Sequence, residues 1–355
     1  MRPITGLLAV AAVLAMSACG GTSDTPGSSG SSPTASGAAS GGGKAGSSLK
    51  VGLAYDIGGR GDQSFNDQAA AGLDKAKQDF GLAETKELEA AGGETDAQKE
   101  ERLRLLASGG YNPIIAVGFA YSGPLTKVAK EFPDTKFAIV DDANAAATNI
   151  SNLVFADEQG SFLVGAAAAL KTKKNNVGFV GGVQVPLIKK FETGYAQGVK
   201  HVKADAQVQT KYLTQPPDFS GFADPAKGKT AAEGMFDGGA DIVYQAAGGS
   251  GAGVFEAAKA ANGWAIGVDS DQALTASEGV RDRILTSMIK KVDVAVYDFI
   301  DSTIKGTVKS GPVMYDLAKN GVDYATTGGH VDDIKAQLDD LKKQIIDGKI
   351  KVATG

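Results

Sequence analysis

The chain is poor in the residues that most often carry metal and nucleophilic chemistry. Its 355 residues include one cysteine, Cys19, and two histidines, His201 and His330. A single thiol excludes a disulfide within the chain. Two histidines without further thiols also argue against a zinc site or a histidine-based catalytic triad. The sequence therefore predicts neither a metal nor a cofactor.

Basic clusters are absent as well. The formal net charge is −5, and no block of lysine and arginine interrupts the chain, so nothing favours nucleic acid as a partner. Carboxylate chemistry remains open, since paired carboxylates serve hydrolases. The aspartates in question follow predicted strands, where they can equally bind hydroxyls without reacting. They are Asp56, Asp141, Asp142, Asp269 and Asp271.

The first 18 residues have the pattern of a signal peptide. Arg2 precedes a short apolar segment, Leu7 to Leu14, and small residues lead to Cys19. The segment resembles a bacterial lipobox, which implies a lipid on Cys19; the alternative is a secreted protein with a chance cysteine. Residues 20–48 are mainly Gly, Ser, Thr and Ala, and we interpret them as a flexible tether.

The rest of the chain alternates strand-like and helical segments, which indicates an α/β protein with parallel sheets. About 300 residues fit two domains better than one, and two sheets are more usual than one of ten strands. The predicted strands are Lys50–Tyr55, Lys86–Ala90, Ile114–Val117, Lys136–Val140, Leu153–Ala156, Asn176–Val180, Gln207–Tyr212, Ile242–Gln245, Trp264–Val268 and Ile284–Ile289.

The stretch from Leu49 to Asn66 has the form of a strand, a glycine loop and a helix start. Asp56 follows the strand and Phe65 lies at the helix start. Ligands bind at such junctions in open α/β sheets, at the carboxyl ends of the strands. A carboxylate beside an aromatic ring suits a small, flat ligand with hydroxyl groups. The alternative is a hydrophobic staple with a carboxylate that favours the helix dipole.

Two glycine-rich segments are ambiguous. Residues 248–253 (GGSGAG) follow the predicted strand that ends at Gln245, and either a ligand touching bare backbone or tight packing explains them. Residues 223–230 (ADPAKGKT) resemble a relaxed phosphate-binding loop, but the residues before them do not form a strand. A nucleoside triphosphate site is therefore not predicted.

Several ordered motifs resemble one known family. They include GLAYDIGGRGDQSFND, FAIVDD, PLIKKFETGYAQG, FADPAKGK, IGVDSDQ and TSMIKKVD. Together they resemble the basic membrane protein family of lipoproteins, which are purine nucleoside receptors of ABC importers. The resemblance covers nearly all of residues 49–310. It implies a type I periplasmic-binding fold, with two doubly wound lobes joined by three crossovers.

The lobe boundaries that we predict on this basis are 49–154 with 270–305 for the first lobe and 155–269 with 306–355 for the second. The resemblance also implies ligand contacts. Phe65 and Phe222 would stack on the base, with Phe219 as the alternative to Phe222. Asp269 and Lys290 would pair at the ribose. The complete implied set is Asp56, Phe65, Asn66, Asp141, Phe222, Gly249, Gly251, Asp269 and Lys290.

The function that follows is capture of purine nucleosides such as adenosine, guanosine or inosine. The protein would be a monomer, held by a lipid at the extracytoplasmic face of a bacterial membrane, and would deliver its ligand to an ABC permease. It would not be an enzyme. Three alternatives remain open at this point: a receptor for a sugar or another polar solute, a nucleoside hydrolase using the aspartates, and a sensor lipoprotein.

Overall fold

The structure is a computed structural model that describes residues 48–355. These residues form twelve strands and ten α-helices in a repeated β-α order. The strands are β1 (Lys50–Ala54), β2 (Glu84–Leu88), β3 (Ile114–Val117), β4 (Phe137–Val140), β5 (Ile150–Phe155), β6 (Asn176–Val183), β7 (Gln207–Thr214), β8 (Ile242–Ala246), β9 (Trp264–Asp269), β10 (Ile284–Lys290), β11 (Gly311–Tyr315) and β12 (Val322–Tyr324).

The helices connect these strands and cover the faces of the sheets. They are α1 (Phe65–Phe80), α2 (Asp96–Ser108), α3 (Ser122–Glu131), α4 (Asp157–Lys171), α5 (Pro186–Val202), α6 (Pro225–Asp237), α7 (Gly251–Ala260), α8 (Gln272–Thr275), α9 (Val292–Ile304) and α10 (Lys335–Ile346). Within the described residues 48–355, no helix is long and apolar enough to cross a membrane.

The strands form two six-stranded sheets with the same order. The first runs β2-β1-β3-β4-β5-β11 and the second β7-β6-β8-β9-β10-β12. Only the pairing of β10 with β12 is antiparallel among these described strands. Strands β3 and β4 are buried along their whole length, as expected when helices cover both faces of a parallel sheet. Each sheet therefore has a switch point, where its strand order reverses and a ligand can bind.

The chain crosses between the lobes three times: from β5 to α4, from β10 to α9 and from β11 to β12. Helix α4 packs on α5 and β10 of the second lobe, whereas α9 packs on α1 of the first. The α1–α9 contact is close, because a Cβ added at Gly72 would overlap the backbone of Asp293. The two sheets with three crossovers confirm the predicted type I fold.

The sheet pairing corrects two of the predicted lobe boundaries. Strand β10 lies beside β9 in the second sheet, so the return to the first lobe comes after residue 290 and not at 270. Strand β11 lies beside β5 in the first sheet, so the last crossing comes after residue 315 and not at 306. Both strands are next to the crossovers, where β-α alternation does not reveal which sheet a strand joins.

Candidate ligand-binding site

A cavity lies between the lobes at the carboxyl ends of both sheets. It encloses about 560 Å³ of empty space, part of which is open to solvent. Residues that follow strands of both sheets line it. Seven of the nine predicted ligand contacts are among them: Asp56, Phe65, Asn66, Asp141, Phe222, Asp269 and Lys290.

The glycine loop between β1 and α1 is held in place by Asp62. Its carboxylate accepts hydrogen bonds from the backbone N–H groups of Ser64, Asn66 and Asp67 at 2.9–3.1 Å. It also accepts from Asn66 Nδ2 at 3.0 Å. Asp62 therefore caps α1, and burial raises its pKa, although these backbone bonds oppose the shift. Sequence reasoning did not single out Asp62.

Asn66 is less free to read a ligand than the resemblance implied. Its Oδ1 accepts the backbone N–H of Asp56 at 3.1 Å, and its Nδ2 donates to Asp62 and to the Ile57 carbonyl. Both amide protons and one acceptor site are therefore used within the loop. Asn66 is 1% exposed. Its main contribution is to fix the position of Asp56.

Asp56 lines the cavity, and its carboxylate occupies the space that a side chain at position 118 would need. Gly118, after β3, has φ +98°, and a Cβ there would overlap the Asp56 carboxylate. Burial raises the pKa of Asp56 to about 6, although the N–H of Ile57, 2.8 Å from Oδ1, lowers it. No lysine or arginine within residues 48–355 forms an ion pair with Asp56. The carboxylate thus remains available to accept hydrogen bonds from a ligand.

Lys290 is the centre of a buried charge cluster near the hinge. Its Nζ pairs with Asp141 and lies 3.1 Å from Asp157 Oδ1. The rings of Phe65 and Phe191 both have their centroids 5.2 Å from the same nitrogen. Burial opposes the charge of Lys290, but the carboxylates of Asp141 and Asp157 raise its pKa above the ordinary value.

The contacts of Asp269 differ from the prediction, in which Asp269 formed a pair with Lys290. The ion pairs of Lys290 are with Asp141 and Asp157, and Asp269 instead accepts a hydrogen bond from Ser64 Oγ at 2.6 Å. Burial raises the pKa of Asp269 to about 6, while Lys290 and Ser64 oppose the shift. Asp157 was not predicted as a site residue, because it begins a helix and reads simply as a carboxylate favoured by the helix dipole.

Aromatic rings come from both lobes. Phe65 lies at the start of α1, and Phe222, in the second lobe, packs on the backbone of Gly182 at the end of β6. Phe219 is outside the cavity lining and packs edge to face against Phe119 of the first lobe, with the centroids 6.0 Å apart. The choice left open between Phe219 and Phe222 as the cavity ring therefore falls on Phe222.

The two predicted glycines do not line the cavity. A Cβ added at Gly251 would overlap the Gln245 side chain, so Gly251 serves packing within the second lobe. Gly249 faces Asp62 at the mouth, and Gly248 is the glycine of this segment that reaches the lining. The glycine segment therefore reaches the site through Gly248, whereas the prediction named Gly249 and Gly251. The predicted lipid site, Cys19, lies outside the described residues.

A two-lobed molecule with a cavity between its lobes has the architecture of the solute-binding proteins. The chain belongs to the family of PnrA-like ABC transporter substrate-binding proteins, whose model matches residues 49–354. This membership confirms the resemblance found in the sequence. It also shows that the protein is a substrate-binding protein and not an enzyme.

Individual relatives agree with this assignment. The chain is 35% identical to an ABC transporter nucleoside-binding protein of Lactococcus lactis subsp. cremoris, over 87% of this chain and 90% of that one. It is 34% identical to an uncharacterized lipoprotein of Pyrococcus horikoshii, over 79% of this chain and 69% of that one. A solved ABC solute-binding protein from Aeropyrum pernix K1 superposes with a TM-score of 0.75 at 29% identity, covering 86% of this chain and 94% of that chain.

Proposed function

We propose that this protein captures purine nucleosides and delivers them to the permease of an ABC importer. The observation that carries the proposal is that aromatic rings and carboxylates line the same cavity. An aromatic ring comes from each lobe, Phe65 and Phe222, and the carboxylates of Asp56 and Asp269 have no ion-pair partner within residues 48–355. The L. lactis relative, named as nucleoside-binding, supports the same ligand class.

The roles divide between the base and the sugar. A flat base is stabilised by aromatic faces, each worth about 1–3 kcal/mol in other base-stacking sites. Ribose hydroxyls donate to the carboxylates of Asp56 and Asp269, and Asp141 with Lys290 completes the polar end of the site. Because Phe65 and Phe222 belong to different lobes, stacking on both faces couples ligand binding to lobe closure.

The lining charges favour a nucleoside over its phosphorylated forms. Among the described lining residues, Asp56, Asp62, Asp141 and Asp269 are acidic and Lys290 is the one cation, already paired with Asp141. A phosphate would face carboxylates without a free cation to neutralise it, which costs several kcal/mol for a buried anion. A neutral ligand with hydroxyl groups meets no such penalty.

The direct test is mass spectrometry of ligand released from denatured, freshly purified protein, followed by calorimetry with two ligands and two variants. Phe65→Ala should weaken adenosine and 2′,3′-dideoxyadenosine alike, by about 1–3 kcal/mol. Asp269→Asn should cost about 1.5–3 kcal/mol for adenosine and little for the dideoxy form, which lacks the diol. Recovery of a sugar would contradict the nucleoside assignment, and equal losses for both ligands with Asp269→Asn would contradict the ribose role of Asp269.

The second part of the proposal is a lipid on Cys19 that anchors the protein at the extracytoplasmic face of the membrane. The leader pattern and the lone thiol support it, as does the name of the P. horikoshii relative. Several acyl chains on one residue anchor firmly, since each buried methylene adds about 0.8 kcal/mol. Cys19→Ser should move the protein from the membrane fraction to the soluble fraction, and unchanged fractionation would place the anchor elsewhere.

A further inference from the structure

Two consecutive residues of the first lobe, Gln63 and Ser64, form hydrogen bonds with the second lobe, and Asp62 directly precedes them. The carbonyl of Gln63 accepts hydrogen bonds from Ser270 Oγ at 2.7 Å, Gln272 Nε2 at 3.1 Å and Thr275 Oγ1 at 3.3 Å. Gln63 has φ 56°, a left-handed conformation that few residues other than glycine adopt. The backbone is therefore held in an unusual conformation at the point where its carbonyl meets three donors of the other lobe.

Ser64 makes the next contact across the cleft. Its hydroxyl lies 2.6 Å from Asp269 Oδ2 and must be the donor when the carboxylate is ionised. Ser64 is fully buried and Asp269 is 6% exposed, so this bond is shielded from water. A hydrogen bond to a buried charge is stronger than an ordinary one. It can form only when the lobes are closed, because the two residues belong to different lobes.

The same loop is also part of the cavity. Asp62 lines it, and the Asp62 carboxylate holds the backbone N–H of Ser64 at 2.9 Å. A ligand that orders Asp62 would therefore also order Gln63 and Ser64, which form the hydrogen bonds to the second lobe. This continuity links the presence of ligand to the contacts that keep the cleft shut.

We propose that Ser64 is a positioning residue for Asp269, and that residues 62–64 form an interlobe clasp that retains the bound ligand. This inference rests on the proposed function, in which Asp269 accepts ribose hydroxyls. Ser64 fixes one Asp269 oxygen and leaves the other for the ligand. Because the clasp forms after the ligand has entered, its loss should speed dissociation far more than it slows association.

The test uses the full chain and compares Ser64 with Ser122, because each donates a hydrogen bond to an aspartate. Ser64→Ala should raise the dissociation constant for adenosine roughly tenfold, almost entirely through faster dissociation. Ser64→Thr keeps a hydroxyl and should restore most of the loss. The control is Ser122→Ala, because Ser122 Oγ donates to Asp142 at 2.8 Å within the first lobe alone. Ser122→Ala should leave the dissociation rate unchanged.

An unchanged dissociation rate in Ser64→Ala would overturn the proposal. So would an equal effect of Ser122→Ala. If Ser64→Ala does not fold, Ser270→Ala removes the shortest bond to the Gln63 carbonyl. Dissociation should then be about threefold faster, in keeping with one neutral hydrogen bond; an unchanged rate in that variant would equally overturn the clasp.

A second readout separates failure of the clasp from failure of the nucleoside assignment. Small-angle X-ray scattering of the ligand-free full chain reports how far the lobes are closed and does not depend on nucleoside binding. If wild type binds no nucleoside, the proposed function fails. A more open ligand-free Ser64→Ala variant than wild type or Ser122→Ala would still support the clasp, and equal scattering by all three would overturn it.

Discussion

The two walls of the cavity differ in chemistry although the two sheets behind them have the same strand order. The first lobe contributes a polar wall that includes Asp56, Asp62 and Asp141. The second contributes a largely apolar wall, in which Leu187, Ile188, Phe191, Phe222 and Val268 surround Asp269 and Lys290. The same topology thus gives one wall rich in carboxylates and one that is mostly apolar around a single carboxylate and a lysine.

The difference has a local structural cause. The polar groups follow β1 and β4 directly, in loops whose backbone amides and side chains hold the carboxylates. Much of the apolar wall instead comes from α5, whose first turns place Leu187, Ile188 and Phe191 over the cavity. A ligand with a flat apolar body and a hydroxyl-bearing edge would therefore meet different groups on the two walls. The predictions below test this division.

The largest effect should follow removal of the cation between the walls. Lys290→Met leaves Asp141 and Asp157 buried without their partner, and we expect the free energy of unfolding to fall by about 3–5 kcal/mol. The control is Lys342→Met, because Lys342 pairs with Asp323 at 2.6 Å where both side chains are about a quarter exposed. That variant should lose about 0–1 kcal/mol. Urea unfolding measures both, and equal losses would show that the buried cluster does not stabilise the fold.

The next effect concerns the polar wall alone. Gly118→Ala should displace Asp56 and weaken nucleoside binding by about 1.5–3 kcal/mol, the usual loss of a hydrogen bond to a charged group. Gly110→Ala is the matched control, because its φ is +76° but no neighbouring atom lies within 4 Å of the added Cβ. Both variants should lose stability through backbone strain, and calorimetry should find weaker binding in Gly118→Ala only. Weak binding in both would assign the effect to strain.

The carboxylates at the strand ends could be predicted from the sequence better than the apolar side chains of the cavity. Asp56, Asp141 and Asp269 each end or follow a strand, so the rule that ligands bind at strand ends finds them. Phe191 lies on the buried face of α5, where the same apolar spacing describes a core residue and a cavity residue alike. Asp157 and Ser64 depend on partners that are 133 and 205 residues away, which no local pattern reveals.

The fold shows the same limit. Ten of the twelve strands were predicted, and the two that were missed lie at the sheet edges. Strand β11 contains Gly311 and Pro312, residues that are unfavourable in a central strand but tolerated at an edge. Strand β12 has only three residues. Because the crossovers adjoin these edges, missing β11 and β12 also contributed to the wrong lobe boundaries.

The third prediction uses pH to distinguish ligand binding from folding. Burial raises the pKa values of Asp56 and Asp269 from 3.8 to about 6. A raised carboxyl pKa means that the folded state holds more protons, so these groups make the free protein less stable as the pH rises from about 4 to 6. Ribose hydroxyls need the ionised forms, so nucleoside affinity should change in the opposite direction. It should fall roughly tenfold per pH unit for each carboxylate below pH 6.

Calorimetry over about three pH units, from about pH 4.5 to about pH 7.5, should therefore show that affinity rises while the thermal stability of the free protein declines through the lower part of the range. Asp269→Asn should remove the part of the pH dependence of affinity that comes from Asp269 and leave the part that comes from Asp56. The dideoxynucleoside should show a shallower slope than adenosine. Parallel changes in affinity and stability would mean that the carboxylates act on the fold and not on the ligand.

The smallest effect should separate the two phenylalanines of the second lobe. Phe222 lines the cavity, whereas Phe219 only packs on Phe119 across the mouth. Phe222→Ala should cost about 1–3 kcal/mol of binding, as loss of a base-stacking face does. Phe219→Ala should cost only about 0.5–1.5 kcal/mol, the value of one edge-to-face pair that forms on closure.

A double-mutant cycle decides what Phe219 does. If its contribution comes from Phe119, adding Phe119→Ala to Phe219→Ala should cost less than the sum of the single losses, because the second change removes a partner already gone. No ring pair joins Phe222 to Phe119 or Phe219 within residues 48–355, so Phe222→Ala should add to Phe219→Ala more fully than Phe119→Ala does. A Phe219→Ala loss as large as that of Phe222→Ala, independent of Phe119, would make Phe219 a stacking ring and would move the apolar wall outward to the cavity mouth.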